Sequence, residues 1–230
     1  MALAERIVLI AGPERARSPL FTQGLRGPPA WAVTIRDTCA FLADPLSPPA
    51  GAVVLDLSGC EGGMRVRLPR ALAMLRARRV PVLACAPAGA PDTMPAASLA
   101  VDHLLEEDAG AQMLQVALRA MLRREKPASF DQALVFDGLQ VSEEARRATF
   151  EGCDIRLGPK EFLLLCVLME APHRVWTRAA LRALVWGPRA TISERTIDKV
   201  ASRLRSALQA ATGRALVESV SGEGYRLGSR

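Results

Sequence analysis

Thr196 to Leu208 read TIDKVASRLRSAL, and Glu218 to Leu227 read ESVSGEGYRL. On a 3.6-residue period Ile197, Val200, Ala201, Leu204 and Leu208 fall on one stripe, while Thr196, Lys199, Ser202 and Arg203 project from the opposite side. The first segment is thus a basic amphipathic helix with one face to pack and one to present. The second, turned at its glycines, is a hairpin. A helix of this length suits the DNA major groove, where long Arg and Lys side chains read base edges, and Arg203 is best placed to do so. Taken alone, such a helix is equally a solvated surface face. Its neighbours separate the two readings.

Upstream stand Gly158-Pro159-Lys160-Glu161, then Val175-Trp176-Thr177-Arg178, then Leu184-Val185-Trp186-Gly187. Pro159 sits at a first helical position, where its missing N–H costs nothing, so a helix is expected to start there. Thr177 ahead of Arg-Ala-Ala-Leu reads as an N-cap, and backbone N–H groups at a helix N-terminus can meet a DNA phosphate. Thr177 and Arg178 are therefore candidate phosphate contacts. Trp186 reads first as a core aromatic, its indole N–H being a second route to a phosphate; Gly187-Pro188 then ends the helix.

In this order the segments from about Leu134 to Leu227 resemble the winged-helix effector domain of the OmpR/PhoB class of bacterial response regulators. The resemblance implies a small N-terminal sheet (Leu134 to Arg156), helices from Pro159 and Thr177, a recognition helix from about Glu194, and a wing hairpin last. It implies Arg203 as the base reader, with Arg195, Thr196, Lys199, Ser202 and Arg205 along the DNA backbone. Asp198 is expected to orient Arg203 or Arg195, and Tyr225 to pack inside the hairpin. Many relatives carry a cation just before the wing's Gly-x-Gly-Tyr; here that position is Ser221, ahead of Glu223, which leaves Arg226 and Arg230 as the wing's cations.

Residues 133–230 hold 15 Lys plus Arg against 11 Asp plus Glu, a net +4 of the chain's +6. Four of those cations and one anion lie between Arg195 and Arg205. Such clustering neutralises phosphate and gives salt-sensitive affinity.

The 230 residues suit two domains. We read residues 1–124 as the first, 125–132 as a linker and 133–230 as the winged-helix domain. No long apolar run marks a secretory leader or a membrane span, so the expected setting is cytoplasmic with no membrane partner. Five cysteines without a C-x-x-C pair, and only two histidines, argue against zinc or a disulfide framework, and no cofactor is expected.

The N-terminal part alternates short apolar strands (Ile7–Ile10, Ala52–Leu55, Val80–Leu83, His103–Leu105) with helical stretches, notably Leu68–Arg79 and Ala109–Arg124. That spacing argues for a parallel sheet wrapped by helices, and it is similar to a flavodoxin-like receiver domain. A working receiver carries an acidic pair after the first strand for Mg²⁺, an acceptor Asp after the third, a hydroxyl after the fourth and a Lys after the fifth. Here Asp56 stands at the acceptor position, while Ala11 and Gly12, Ala86, and Glu106-Glu107 occupy the others. Phosphoryl transfer relies on a metal and a cation to offset charge on the phosphoryl oxygens. The expectation is therefore a degenerate receiver, with Asp56 a vestigial acceptor, Glu14 the one conceivable substitute ligand, and Pro87, Pro91 and Pro95 disrupting the fourth helix. Asp102 and Arg119 resemble positions that relatives pair across a receiver dimer.

The sequence reading is thus a homodimeric, phosphorylation-independent transcription regulator of double-stranded promoter DNA, with RNA polymerase and a regulatory protein as further partners. Two alternatives stay open: conventional phosphorylation at Asp56, and a small-molecule or redox sensor built on Cys60, Glu61 and Gly62-Gly63 at the strand ends. No His-paired nucleophile, phosphate-cradling loop or metal-ligand cluster supports an enzyme.

Overall fold

The computed structural model describes residues 6–26, 31–58, 62–87, 101–125, 133–143, 145–187 and 190–228, with backbone only at 62–66 and 125. The chain divides into two compact units, Met1–Glu125 and Lys126–Arg230.

The first unit is built on five parallel strands, β1 (Arg6–Ile10), β2 (Ala32–Arg36), β3 (Ala52–Asp56), β4 (Val82–Ala86) and β5 (His103–Glu106), in the order β2-β1-β3-β4-β5. The helices between them are α1 (Pro19–Gly24), α2 (Thr38–Ala43), α3 (Gly62–Ala77) and α4 (Gly110–Glu125). β3 and β4 are buried along their whole length, as central strands covered by helices on both faces must be. Val8, Ile10, Val53, Leu55, Val82 and Ala84 meet Phe41, Leu68, Leu72 and Leu75 on one face. The buried helix residues Phe21, Leu114 and Leu118 supply the core outside that cluster. α1 packs on α4 closely enough that a Cβ on Gly24 would stand 2.8 Å from Leu114.

Three features depart from the sequence reading. β2 is absent from that reading: it is a five-residue edge strand paired only with β1, with its apolar Val33 and Ile35 exposed. α3 starts at Gly62 and stops at Ala77, so Gly62 and Gly63 form its first turn and not a ligand loop. β4 begins two residues later than expected, at Val82. Cys60 and Glu61, and the segment of Pro91 and Pro95, lie outside the described residues.

His103 is buried in β5, and desolvation, aided by the Arg124 charge, lowers its imidazole pKa from the ordinary 6.5 to about 4. Cys85 is sealed in β4, where burial pushes its thiol up and leaves no accessible thiolate.

The second unit opens with a four-stranded antiparallel meander, β6 (Ala133–Phe136), β7 (Leu139–Ser142), β8 (Arg147–Phe150) and β9 (Cys153–Ile155). Asp137 and Gly138 both have positive φ in the β6–β7 turn, as a two-residue hairpin loop demands. Three helices follow: α5 (Pro159–Glu170), α6 (Arg178–Trp186) and α7 (Glu194–Thr212). α5 starts at Pro159, and the Glu161 carboxylate accepts from the Gly158 N–H at 2.6 Å. A three-stranded sheet closes the unit: β10 (Trp176–Thr177) against β12 (Gly224–Leu227), and β12 against β11 (Val217–Val220). This is a winged helix. No helix among the described residues is long and apolar enough to cross a membrane.

Candidate nucleic-acid interface and acceptor pocket

The stripe read from the sequence is the buried side of α7: Ile197, Val200, Ala201, Leu204 and Leu208 are all in the core. Arg195, Lys199, Ser202 and Arg203 are exposed on the other side, and Thr196 is half-buried. Three cations therefore stand on one solvent-facing surface of a helix whose other surface is locked by packing. Thr177 caps α6, its Oγ1 accepting from the Ala180 N–H at 3.2 Å.

Asp198 does not orient Arg203 or Arg195. It accepts from Arg178 Nε at 3.0 Å and from the Tyr225 hydroxyl at 2.6 Å, while the Arg178 guanidinium lies 5.3 Å over the Tyr225 ring. One carboxylate thus ties α7 to the start of α6 and to β12, and Tyr225 is a hydrogen-bonded member of that bracket as well as a buried packing residue. The Tyr225 hydrogen bond above all, with Arg178 behind it, holds the Asp198 carboxyl below the usual carboxylate range. A folded-state pKa below the unfolded one gives a contribution that is complete above about pH 4 and lost as pH falls through the lowered value. Asp198→Asn is accordingly expected to weaken DNA binding several-fold near neutral pH, where wild type holds the bracket, and much less in acid. Equal affinity of the two proteins at neutral pH would remove the bracket from the account.

Arg205 is also committed within the protein: Nε donates to the Val217 carbonyl at 2.8 Å and Nη2 to Ser219 Oγ at 2.7 Å. It anchors β11 to α7, a role that the spacing within the helix did not reveal. In the wing, Arg226 pairs with Glu218 across the strands at 2.7 Å. The exposed tip is Ser221, Gly222 and Glu223, and Arg230 lies outside the described residues. Trp186 is half-buried, with Lys160 Nζ 5.5 Å over its ring.

A second constellation lies at the C-terminal ends of the first unit's strands. Asp56 ends β3 with its side chain 2% exposed, and Arg15, from the 3₁₀ turn after β1, donates Nε to it at 3.1 Å. Arg15 Nη2 reaches Glu107, just past β5, at 2.6 Å and Ser58 Oγ at 2.9 Å. Ser58 Oγ donates on to Glu107 at 3.0 Å, and the Ser58 N–H donates to Asp56 at 3.1 Å. One guanidinium thus joins the ends of three strands. The hydrogen bond to Asp56 is the main reason that Arg15 is held more firmly protonated than usual.

The loop that carries metal ligands in a working receiver delivers a cation here. Glu14 is exposed, and among the described residues no group of three or more His, Cys, Asp or Glu gathers as a metal site would require. The residues present do not fit Mg²⁺, because Asp56 and Glu107 already share a fixed positive charge. Asp102 and Arg119 are likewise engaged inside their own unit. The Asp102 carboxylate accepts from the Val82 N–H at 2.8 Å, and Arg119 is only 9% exposed.

Residues 152–227 match the family described as "Transcriptional regulatory protein, C terminal". The chain is 38% identical over 116 residues to the phosphate regulon transcriptional regulatory protein PhoB of Rhizobium meliloti (strain 1021), covering 50% of this chain and 51% of that protein. It is 29% identical over 181 residues to the protein of the same name from Klebsiella pneumoniae, covering 77% and 78% of the two chains. The match thus spans about half the length of the first of these relatives and about three quarters of the second. Among solved structures it is similar to the Thermotoga maritima response regulator DrrB, an OmpR/PhoB homologue, at 20% identity and a TM-score of 0.41, with 99% of this chain and 100% of that one aligned. Residues 152–227 thus carry the C-terminal domain of the transcriptional regulatory protein family, and the chain is similar to response regulators of the OmpR/PhoB class.

Proposed function

We propose that this chain is a sequence-specific regulator of transcription that binds double-stranded promoter DNA through α7 and works without phosphorylation of its receiver-like unit. The observation that carries the DNA half is the exposed face of α7, where Arg195, Lys199 and Arg203 stand clear of every intramolecular hydrogen bond and ion pair described above. Arg203 reads a base edge, with guanine its natural partner. Arg195, Thr196, Lys199, Ser202 and the Thr177-capped start of α6 line the phosphates, with Arg178 held for that contact by Asp198. Ser221 adds no charge to the wing tip, so minor-groove contact contributes little affinity.

The second half rests on Arg15. Attack by Asp56 on a phosphodonor needs an accessible carboxylate oxygen and a divalent cation to gather the phosphoryl oxygens. Asp56 offers neither. Its side chain is buried, and Arg15 holds it. An Arg cannot release its proton to clear the site. Control then falls to abundance, a protein partner or a ligand. The chain is read as a homodimer that recruits RNA polymerase at a repeated or palindromic site.

Arg203→Ala is expected to cost about 1–3 kcal/mol at a site selected from a random pool and to relax specificity, while Lys199→Ala weakens all sequences evenly. Competition binding against random duplex checks this. Equal loss by Arg203→Ala on selected and random DNA would sink the base-reader assignment.

A further inference from the structure

Residues 62–80 contain Arg65, Arg67, Arg70, Arg76, Arg78 and Arg79 and no Asp or Glu. Across residues 1–125 as a whole, 14 arginines face 12 acids, with no lysine. The first unit is therefore close to neutral, yet its longest uninterrupted run of positive charge lies along one helix. Arg67, Arg70, Arg76, Arg78 and Arg79 are all exposed.

Cations in the last turn offset the carbonyl end of a helix, which accounts for Arg76, Arg78 and Arg79. It does not account for Arg67 and Arg70, which sit mid-helix. On the helical period Arg67, Arg70 and Met74 share one stripe, extended by Arg78 just beyond the helix end. Beside that stripe runs a hollow of about 440 Å³ lined by Leu42, Pro45, Arg67, Arg70 and Met74.

We propose that this arginine face of α3 is a second, sequence-independent surface for duplex DNA that grips phosphates with Arg67, Arg70 and Arg78. The inference rests on the DNA-binding reading above and extends it to the receiver-like unit. Charge complementarity selects a polyanion, and the exposure of every arginine on the stripe favours DNA over an acidic protein. A specific protein interface is organised around anchors, most often Trp, Tyr or Arg, seated in well-packed and fully desolvated pockets, whereas these arginines are all exposed. This stripe has one half-exposed methionine, 37% exposed, and no aromatic residue. Phosphate binding needs only clustered cations, and guanidinium forks suit it. Because α7 already holds the same chain on the duplex, weak contacts by a second surface act at high effective concentration.

The test uses the full chain and a duplex carrying the selected site with long random flanks. Binding is measured across a potassium chloride series for wild type, Arg67→Gln/Arg70→Gln/Arg78→Gln, and the same three positions changed to Lys. Removing one phosphate-bound cation lowers the log–log salt slope by about 0.9, so the Gln variant is expected to drop it by roughly two to three. The Lys variant keeps most of the slope, and the preference for selected over random DNA is unchanged in all three. A wild-type slope in the Gln variant overturns the proposal, the more so if that variant also loses binding to polyglutamate, which would mark the face as a site for acidic protein. If wild type shows no preferred site at all, the α7 reading has failed, a result distinct from failure of the α3 face.

Discussion

Gly224→Ala is expected to destabilise the C-terminal unit by about 3 kcal/mol or more and to abolish DNA binding with it, at the upper end of what overpacking costs. Gly224 opens β12 and pairs with both Val220 and Thr177. A Cβ there would stand 2.0 Å from the Trp176 carbonyl oxygen. The obstacle is backbone, so no rotamer relieves it, and Trp176 is itself only 1% exposed. Relief requires β10 to leave β12. That motion would drag Thr177 from the start of α6 and Tyr225 from Asp198, so stability and the DNA-facing bracket fail together. Urea unfolding followed by fluorescence of Trp176 and Trp186 checks the prediction. A midpoint equal to wild type would contradict the seam geometry.

The second large effect is acid sensitivity of the N-terminal unit. The His103 pKa is about 4 in the folded chain against about 6.5 unfolded, so between those values the unfolded chain binds a proton that the folded one refuses. Stability is complete above about pH 6.5, falls as pH drops by up to about 1.4 kcal/mol per pH unit, and levels off below about pH 4. The total loss is on the order of 3 kcal/mol. His103→Leu is expected to flatten that window, since it fills a buried site without a titrating group. Denaturation midpoints from about pH 7 to pH 4 that fall equally in the two proteins would place the acid sensitivity elsewhere.

How far the sequence could be read depended on the range of each interaction. The buried stripe of α7, the Thr177 cap and the start at Pro159 are patterns within a single turn or two, and the residues alone specify them. β2 escaped because it is a short edge strand: Val33 and Ile35 alternate with Thr34 and Arg36, but the apolar pair is the exposed one, so no buried stripe marks it. Arg15 lies 41 residues from Asp56 and 92 from Glu107. Only a sheet order that brings the ends of β1, β3 and β5 together puts them in contact. A signal was nevertheless present: a carboxylate expected at a buried strand end requires a cation, and Arg15 is the basic residue nearest the positions where Ala11 and Gly12 replace an acidic pair. Asp198 and Tyr225 are 27 residues apart and meet only once the wing folds back. Asp102 and Arg119 could be matched to a family pattern by position, but burial and the hydrogen bond to Val82 depend on the packing of this chain.

The pocket at Asp56 decides whether the receiver-like unit is a phosphorylation switch or a scaffold closed by its own arginine. The direct measurement is intact mass of the full chain after incubation with a small phosphodonor and Mg²⁺, with Asp56→Ala beside it and DNA affinity read on the same samples. No phosphoryl mass gain is expected in either protein, and affinity for the selected site is expected to stay unchanged. A mass gain that disappears in Asp56→Ala, accompanied by tighter DNA binding, would contradict this expectation.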